Sequence, residues 1–519
     1  MLTFATEMRS RIKFIVMGLC AMWIALPAIA QELPPKREFR SMWVCTLANL
    51  DWPSRSNLNS KSQQDEFKEL LNMSKDMGLN ALIVQIRPSG DALYPSELVP
   101  WSQYLSGKQG QPPVPYYDPL KFMVEESHRR NIEFHAWFNP FRALSSVKFS
   151  SISQDNPLIH HPNWFFTYGD SKYFDPGIPD VRDYLVRVVM EVVHNYDIDG
   201  IHLDDYFYPY PLEGQPIPDN ASFQRYGQGF KTREAWRRAN IDAFISQLAD
   251  SIFITKPWVK FGISPFGVWR GVAEDDRGSA TSRTFTAYDG LYADTRKWIE
   301  YGWVDYMAPQ LYWNINHARA SFKVLLDWWD KLATDRHVYA GHGVYMMQED
   351  DAPKWANSSE YLQQVRLCRT SGNVCGNVWF RAKTLRENPG GIRDVLGKQA
   401  YAYPALVPTM PWIDSVPPLR PRMLLCTPDR EGVSVDWDAP GPASDGDQPA
   451  YYVVYRFKDD MPQNLDDPRY ILAILREGTF YRDEAVEAGH RYTYVITSVD
   501  RLHNESTRFV HQTVTMPVF

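Results

Sequence analysis

The sequence predicts an α/β chain: a (β/α)8 TIM barrel followed by a small all-β, immunoglobulin-like sandwich. Three observations predict it. Eight short apolar runs between Phe39 and about Ala382 alternate with amphipathic helical stretches, as expected of strands that each need a helix to cover them. No glycine-rich phosphate turn follows the first run, although a doubly wound open sheet would usually carry one. Past residue 418 the texture changes to alternating runs separated by Gly, Pro, Asp and Asn.

In chain order, the strand candidates are 39–47, 81–87, 133–140, 200–206, 260–267, 304–313, 337–345 and 376–382. Helical stretches are expected at 64–77, 119–130, 181–196, 232–254 and 318–333. Residues 1–30 read as an export signal, 31–400 as the barrel, 401–418 as a proline-rich linker and 419–519 as the sandwich. The Trp437 strand, the Tyr451–Tyr455 strand and the Tyr492–Val499 strand, with Asp500 and Asn504-Glu505-Ser506 behind it, resemble a fibronectin type III module.

The first thirty residues have the grammar of a cleaved leader. Arg9, Arg11 and Lys13 precede an apolar stretch from Phe14 to Leu26 that is too short to span a bilayer. Ala28-Ile29-Ala30 is a small-x-small cleavage site before Gln31. Met17-Gly18-Leu19 is a poor lipobox, so a lipid anchor at Cys20 is not expected. The product is expected to be exported, periplasmic or extracellular, with no transmembrane segment. Cys45, Cys368, Cys375 and Cys426 are too few for a disulfide framework, although Cys368 and Cys375 are near enough in sequence to pair. The formal charge of -7 leaves no basic footprint, which argues against nucleic acid as a partner.

In a (β/α)8 barrel the chemistry sits at the C-terminal strand ends. There the fourth run, Gly200-Ile201-His202-Leu203-Asp204-Asp205-Tyr206, ends on two adjacent carboxylates. Two carboxylates so close repel, which raises one pKa and can leave an acid beside a base near neutral pH. A salt bridge to Arg87 or Arg270 is the plainer alternative. On the third run His135, Trp137 and Asn139 alternate with apolar residues and should face the axis. Gln85 and Arg87 should share a face on the second run, ahead of Asp91 and Tyr94; a structural pair of Arg87 with Asp91 or Asp204 is equally open. Asp199 reads as a turn or cap residue. Gln310, Tyr312 and Trp313 end the sixth run, His342 and Tyr345 the seventh, and Trp379 and Arg381 the eighth. With 18 Trp and 29 Tyr, the chain has rings enough for a large core and for sugar-stacking surfaces, for which Trp101, Trp137, Trp269 and Trp313 are candidates.

Several stretches carry a family resemblance. They are Phe39-Arg40-Ser41-Met42-Trp43-Val44, Gln85 to Tyr94, Pro100-Trp101, Leu105 to Gly110, Tyr117 to Leu120, His135 to Pro140, Asp199 to Tyr206, Gly262 to Gly267 and Tyr292 to Arg296. Together they resemble the glycosyl-hydrolase-like-10 family of exported bacterial proteins, over roughly Arg37 to Arg381. The resemblance implies a barrel glycosidase with bacterial cell-wall glycan as the substrate class. It carries over Asp204 and Asp205 as the catalytic pair, with Arg87, Asn139, His202 and Gln310 as neighbours. A fainter likeness to family-18 chitinases matches Asp199, Gly200 and Asp204. His202 there replaces an Asp and Tyr206 replaces the catalytic Glu.

The expected function is therefore glycoside hydrolysis of a bacterial polysaccharide, most of all peptidoglycan glycan strands, by carboxylate acid/base chemistry. Asp205 is assigned the acid and Asp204 the stabilising or attacking role; Asp91 or the Glu274–Asp276 loop could supply the acid instead. Arg87, Asp91, Tyr94, Trp101, His135, Trp137, Asn139, His202, Tyr206, Trp269, Gln310, Tyr312 and Trp313 are the expected substrate-binding residues. No cofactor or metal is expected. The alternatives are a catalytically silent glycan-binding barrel and a metal-dependent polysaccharide deacetylase. His160-His161, the one adjacent histidine pair, lacks the helical spacing of two metal ligands.

Overall fold

A computed structural model describes residues 33–148, 152–349 and 352–518. The export signal and Cys20 lie outside the described residues. The chain divides into Met1–Pro34 and Pro35–Phe519, and everything below concerns the second unit.

Eight parallel strands close into a barrel: β1 (Phe39–Val44), β2 (Ala81–Arg87), β3 (Glu133–Phe138), β4 (Gly200–Leu203), β5 (Lys260–Ile263), β6 (Tyr306–Met307), β7 (His337–His342) and β8 (Val374–Trp379). β8 pairs back onto β1. A helix follows each strand: α1 (Ser60–Asp76), α2 (Pro119–His128), α3 (Pro179–Asn195), α4 (Arg233–Thr255), α5 (Thr295–Glu300), α6 (Phe322–Leu332), α7 (Ser358–Thr370) and α8 (Ala382–Glu387). Local chemistry starts most of them. Asn59, Asp118, Thr232, Asp294, Ser321 and Asn357 each accept a hydrogen bond from a first-turn backbone N–H of the helix that follows. Strand residues such as Leu82, Val84, Phe134, Ala136, Phe138, Ile201 and Leu203 pack outward into the helical layer. Their neighbours in alternation, among them Phe39, Trp43, Ile83 and Trp137, fill the barrel with Tyr306 and Tyr339.

Two strands depart from expectation. β6 has only two ladder residues where ten were expected, because Pro309 has no N–H to give. Gln310 regains isolated bridges to Phe266 and Gly341. The β2–β3 register also shifts between Gln85 and Arg87, so that Arg87 stands opposite outward-facing Phe138. This bulge turns Arg87 away from the face it was expected to share with Gln85. Its guanidinium packs over Phe174 and donates to the carbonyls of Asn139 and Pro140.

The barrel axis is polar. The His135 and Tyr306 rings cross it in space left by two glycines. A Cβ on Gly200 would lie 2.6 Å from His135 Nδ1, and one on Gly262 would lie 1.9 Å from Tyr306 Cζ.

The proline-rich stretch after the barrel is not a free tether. Leu406, Val407 and Met410 are buried, the last two in the barrel's inner cluster with Phe39 and Tyr339. Next come β9 (Arg422–Pro428), β10 (Val433–Asp438), β11 (Tyr451–Lys458), β12 (Ile471–Leu475), β13 (Phe480–Asp483), β14 (Arg491–Val499) and β15 (Val510–Thr515). They form an antiparallel three-stranded sheet (β9-β10-β13) against a four-stranded one (β12-β11-β14-β15). β11 was expected to alternate, yet Tyr451–Tyr455 is buried throughout. Tyr452 and Val454 face the sandwich core, while Tyr451, Val453 and Tyr455 share a second cluster with Leu406. The four-stranded sheet is thus covered on both faces. Cys45, Cys368, Cys375 and Cys426 are all free thiols, so Cys368 and Cys375 do not pair.

The tight fit at Gly262 gives a test of the packed axis. Gly262→Ala should destabilise the protein by roughly 3 kcal/mol or more, measured by urea unfolding, because neither the strand nor the Tyr306 ring has room to yield. An unchanged midpoint would contradict the axial packing.

Candidate active site

A cavity of about 470 Å³ opens at the C-terminal end of the barrel, and all eight strand ends or the loops after them line it. Trp43 and Cys45 come from the first strand end, Gln85 from the second, and Trp137 and Arg142 from the third. Asp204, Asp205, Tyr206 and Tyr210 come from the fourth, Ser264 and Phe266 from the fifth, and Gln310, Tyr312 and Trp313 from the sixth. Tyr345 and Phe380 come from the last two. β4 leaves its ladder at Leu203, so the two carboxylates stand where the strand opens into the mouth.

Both carboxylates line the cavity while nearly withdrawn from solvent, Asp204 at 4% and Asp205 at 3% exposure. Asp204 Oδ2 accepts from Asn139 Nδ2 at 2.8 Å and Trp137 Nε1 at 3.3 Å. Its Oδ1 accepts from the Tyr206 amide at 3.3 Å. Burial nevertheless dominates and raises its pKa to about 7. Arg142 pulls it down and the charge of Asp205 pushes it up. Burial raises Asp205 as well, opposed by hydrogen bonds from Tyr210 and Gln310 and by Arg142. Adjacent in sequence, the two side chains therefore stand in different surroundings: an indole, an amide and a backbone N–H for one, a phenol and an amide for the other.

Arg142 is the cation of the site. It is carried there by Arg142–Leu144, the first strand of a small antiparallel sheet completed by Phe165–Tyr168 and Ser171–Phe174. Its guanidinium lies over the Tyr206 ring at 4.4 Å. It has no hydrogen-bond acceptor or ion-pair partner among the described residues, which leaves its donors available to a ligand. Two groups of rings stand around the acids. Trp43, Phe380, Tyr312 and Tyr345 contact one another in series. Tyr206, Tyr210, Phe285, Phe266 and Trp313 form the second series.

Of the residues expected from sequence, Asp204, Asp205, Trp137, Tyr206, Gln310, Tyr312 and Trp313 meet at the cavity. Asn139 lies behind Asp204 as its donor. His135 and His202 lie beneath the floor, in the barrel axis. Arg87, Asp91, Tyr94, Trp101 and Trp269 do not line the cavity. The bulge removes Arg87. Asp91 accepts from Gln109, and Tyr94 packs edge-on against Tyr196. Trp101 packs on Tyr116. Trp269, 1% exposed, donates to Asp294 and stacks on Trp328. Asp199 sits at the opposite end, bonded to His128 and the Phe134 amide. His342 is held by Gln364 and Asn377. Asp275 is paired with Arg277 and Arg270. Cys45 is buried and also lines the cavity, its thiol 3.3 Å from Gln85 Oε1. Trp43 was legible, since it shares the face of Phe39 at period two. Nothing in the sequence marked Arg142 or Phe380.

The glycosyl hydrolase-like 10 family matches residues 38–357. A glycosyl hydrolase of Bacillus subtilis strain 168, YngK, is 42% identical over 505 residues, covering 96% of this chain and 98% of that protein. DigH, a glycosyl hydrolase of Escherichia coli K12, is 36% identical over 384 residues, 70% of this chain and 86% of that protein. Among solved structures, the PgaB glycoside hydrolase domain of Bordetella bronchiseptica superposes with a TM-score of 0.43 at 12% identity. It covers 70% of this chain and 99% of that one.

The raised proton affinity of Asp204 has a consequence for stability. The folded protein binds this proton near pH 7 whereas an unfolded Asp releases it near ~3.9, so stability falls as pH rises between those values by up to about 4 kcal/mol. Asp204→Asn removes the buried charge. The variant should be more stable than the parent at pH 8, with the advantage gone by pH 4, as read by thermal unfolding at both pH values.

Proposed function

The chain belongs to the glycosyl hydrolase-like 10 family, and on that footing we propose that it is an exported glycoside hydrolase. Its substrate is a bacterial polysaccharide, with peptidoglycan glycan strands as the specific case. The observation that carries this reading is the pair Asp204 and Asp205, buried in contrasting surroundings at the wall of an aromatic cavity. The names of both relatives, glycosyl hydrolases over most of this chain's length, support the reaction class.

The electrostatics favour Asp204 as the proton donor. A carboxyl with a pKa of about 7 keeps its proton at neutral pH long enough to give it to a leaving glycosidic oxygen. Asp205, bonded to Tyr210, then supplies the negative charge that stabilises or attacks the oxocarbenium-like carbon. This reverses the order assigned from sequence, because burial raises the Asp204 carboxyl to about 7 and the charge of Asp205 adds to the rise. On a substrate with N-acetyl groups, the acetamido oxygen is an alternative nucleophile, with Gln310 and Tyr312 placed to hold it. The rings stack on sugar faces, and the Arg142 donors take hydroxyl or carboxylate oxygens. A metal-dependent deacetylase would need a histidine beside the acids. The histidines of β3 and β4 are instead committed to Glu133, Tyr306, Trp43 and Ser264.

Purified peptidoglycan with and without stem peptides, chitin and α-glucans should be tried as substrates, with products identified by mass. Asp204→Asn should lower the release of new reducing ends by on the order of 1,000-fold. The parent's kcat should decline as pH climbs past about 7, where Asp204 loses its proton. A rate that instead climbs through pH 7 would show Asp204 working as the carboxylate. Tight binding without any product would make the protein a silent glycan-binding barrel.

A further inference from the structure

A continuous hydrogen-bonded chain runs down the barrel axis and connects the C-terminal sandwich to the cavity floor. At the upper end the Trp43 indole N–H is 3.1 Å from His202 Nε2, and Ser264 Oγ is also 3.1 Å from it. His202 Nδ1 is 3.0 Å from the Tyr306 hydroxyl, which is 2.8 Å from His135 Nδ1. His135 Nε2 is 3.1 Å from Glu133 Oε2. The other oxygen of Glu133 takes Lys260 Nζ and, at 2.6 Å, Nε2 of His503. His503 belongs to the sandwich, in the turn after β14, and its Nδ1 is 2.9 Å from the hydroxyl of Tyr451 on β11.

The proton arrangement of this chain follows from its ends. An indole N–H can only donate, so His202 Nε2 is an acceptor and its proton is on Nδ1. That proton goes to the Tyr306 oxygen, so the tyrosine must donate its own to His135 Nδ1. The remaining His135 proton is on Nε2 and goes to Glu133, which as a carboxylate can only accept. The deductions from the top and from the bottom agree. Burial keeps His202 neutral, and burial together with the adjacent Lys260 pushes His503 down to about 4. Nε2 of His503 is 2.6 Å from a carboxylate oxygen that can only accept, so the His503 proton given to Glu133 is on Nε2, with Lys260 Nζ 3.2 Å from the same nitrogen. Glu133 is the point at which the sandwich, the barrel's lower end and the axis meet, and His503 is the only group from outside the barrel among its hydrogen-bond partners in the described residues.

We propose that the sandwich is part of the site rather than an appendage: His503 and Glu133 are positioning residues that act through His135, Tyr306 and His202 to hold the Trp43 indole and the Ser264 hydroxyl at the cavity floor. The kinetic part of this inference rests on reading the cavity as a glycosidase site; the proton arrangement does not. Without the His503 donor the Glu133 carboxylate turns toward Lys260, its bond to His135 lengthens, and the polarised chain above it weakens. The floor of the cavity then loses its fixed position, although no group that touches substrate has changed.

The test uses the full chain labelled with ¹⁵N at histidine and tryptophan. In the parent, His202 should show a protonated Nδ1 and an unprotonated Nε2; the opposite tautomer would overturn the proposal. His503→Leu should shift the His202 ring nitrogens and the Trp43 indole resonance, and His503→Gln, which keeps an N–H for Glu133, should restore them. Glu133→Gln, close to isosteric, gives the same readout should the leucine variant fail to fold. If the parent hydrolyses glycan, His503→Leu should lower kcat by about 10- to 100-fold with KM little changed, as expected of a small displacement in a positioned site. Lower thermal stability with unmoved His202 and Trp43 signals would make His503 a docking contact only and would overturn the proposal. If the parent has no hydrolytic activity, the glycosidase reading fails and the spectra still decide the positioning role.

Discussion

Taking two adjacent carboxylates out of water is the constraint that shapes the mouth of this barrel. A buried carboxylate without partners is expensive enough that it takes up a proton instead. The surroundings meet that demand unequally. Asp204 has three N–H donors and Asp205 has a phenol, and one cation, Arg142, stands near both without forming an ion pair with either. The cavity and its rings then keep bulk water from screening the difference between the two acids.

The same barrel carries a second polar system below the first. Apolar side chains would fill the axis at less risk, because a partly satisfied buried network destabilises more than none. Here every member from Trp43 to Glu133 finds a partner, and the glycines at 200 and 262 exist to admit the rings. The sandwich closes the lower end. Lys36 and Arg37 pair with Glu505, Arg501 pairs with Asp197, and Leu406 of the connector seats against the outer face of the four-stranded sheet.

Much of this was readable in the chain itself. Period-two alternation placed Trp137 inward, and the Gly200-to-Tyr206 run located the acids at a strand end. Where the reading failed, the cause is physical. Alternation could not foresee a bulge, so Arg87 was assigned to the wrong face. It gave the inward direction of His135 and His202 correctly but not their depth, and these rings lie under the floor rather than in it. Trp269 and Trp101 were chosen as aromatic residues near strand ends, a position that is equally good for packing. Arg142 lies beyond its strand in a short excursion sheet, whose path depends on contacts far away in sequence. The tyrosine-rich β11 was read as a one-faced strand because nothing local tells that its second face is covered by the barrel's connector.

Burial lifts the Asp204 carboxyl to a pKa of about 7, beside an Asp205 whose surroundings differ from its own. A ¹³C carboxyl titration of aspartate-labelled protein, with the Asp204 signal assigned by its loss in Asp204→Asn, tests it without any substrate. The expected midpoint for Asp204 is near pH 7. A midpoint close to the ~3.9 of a free aspartate would contradict it.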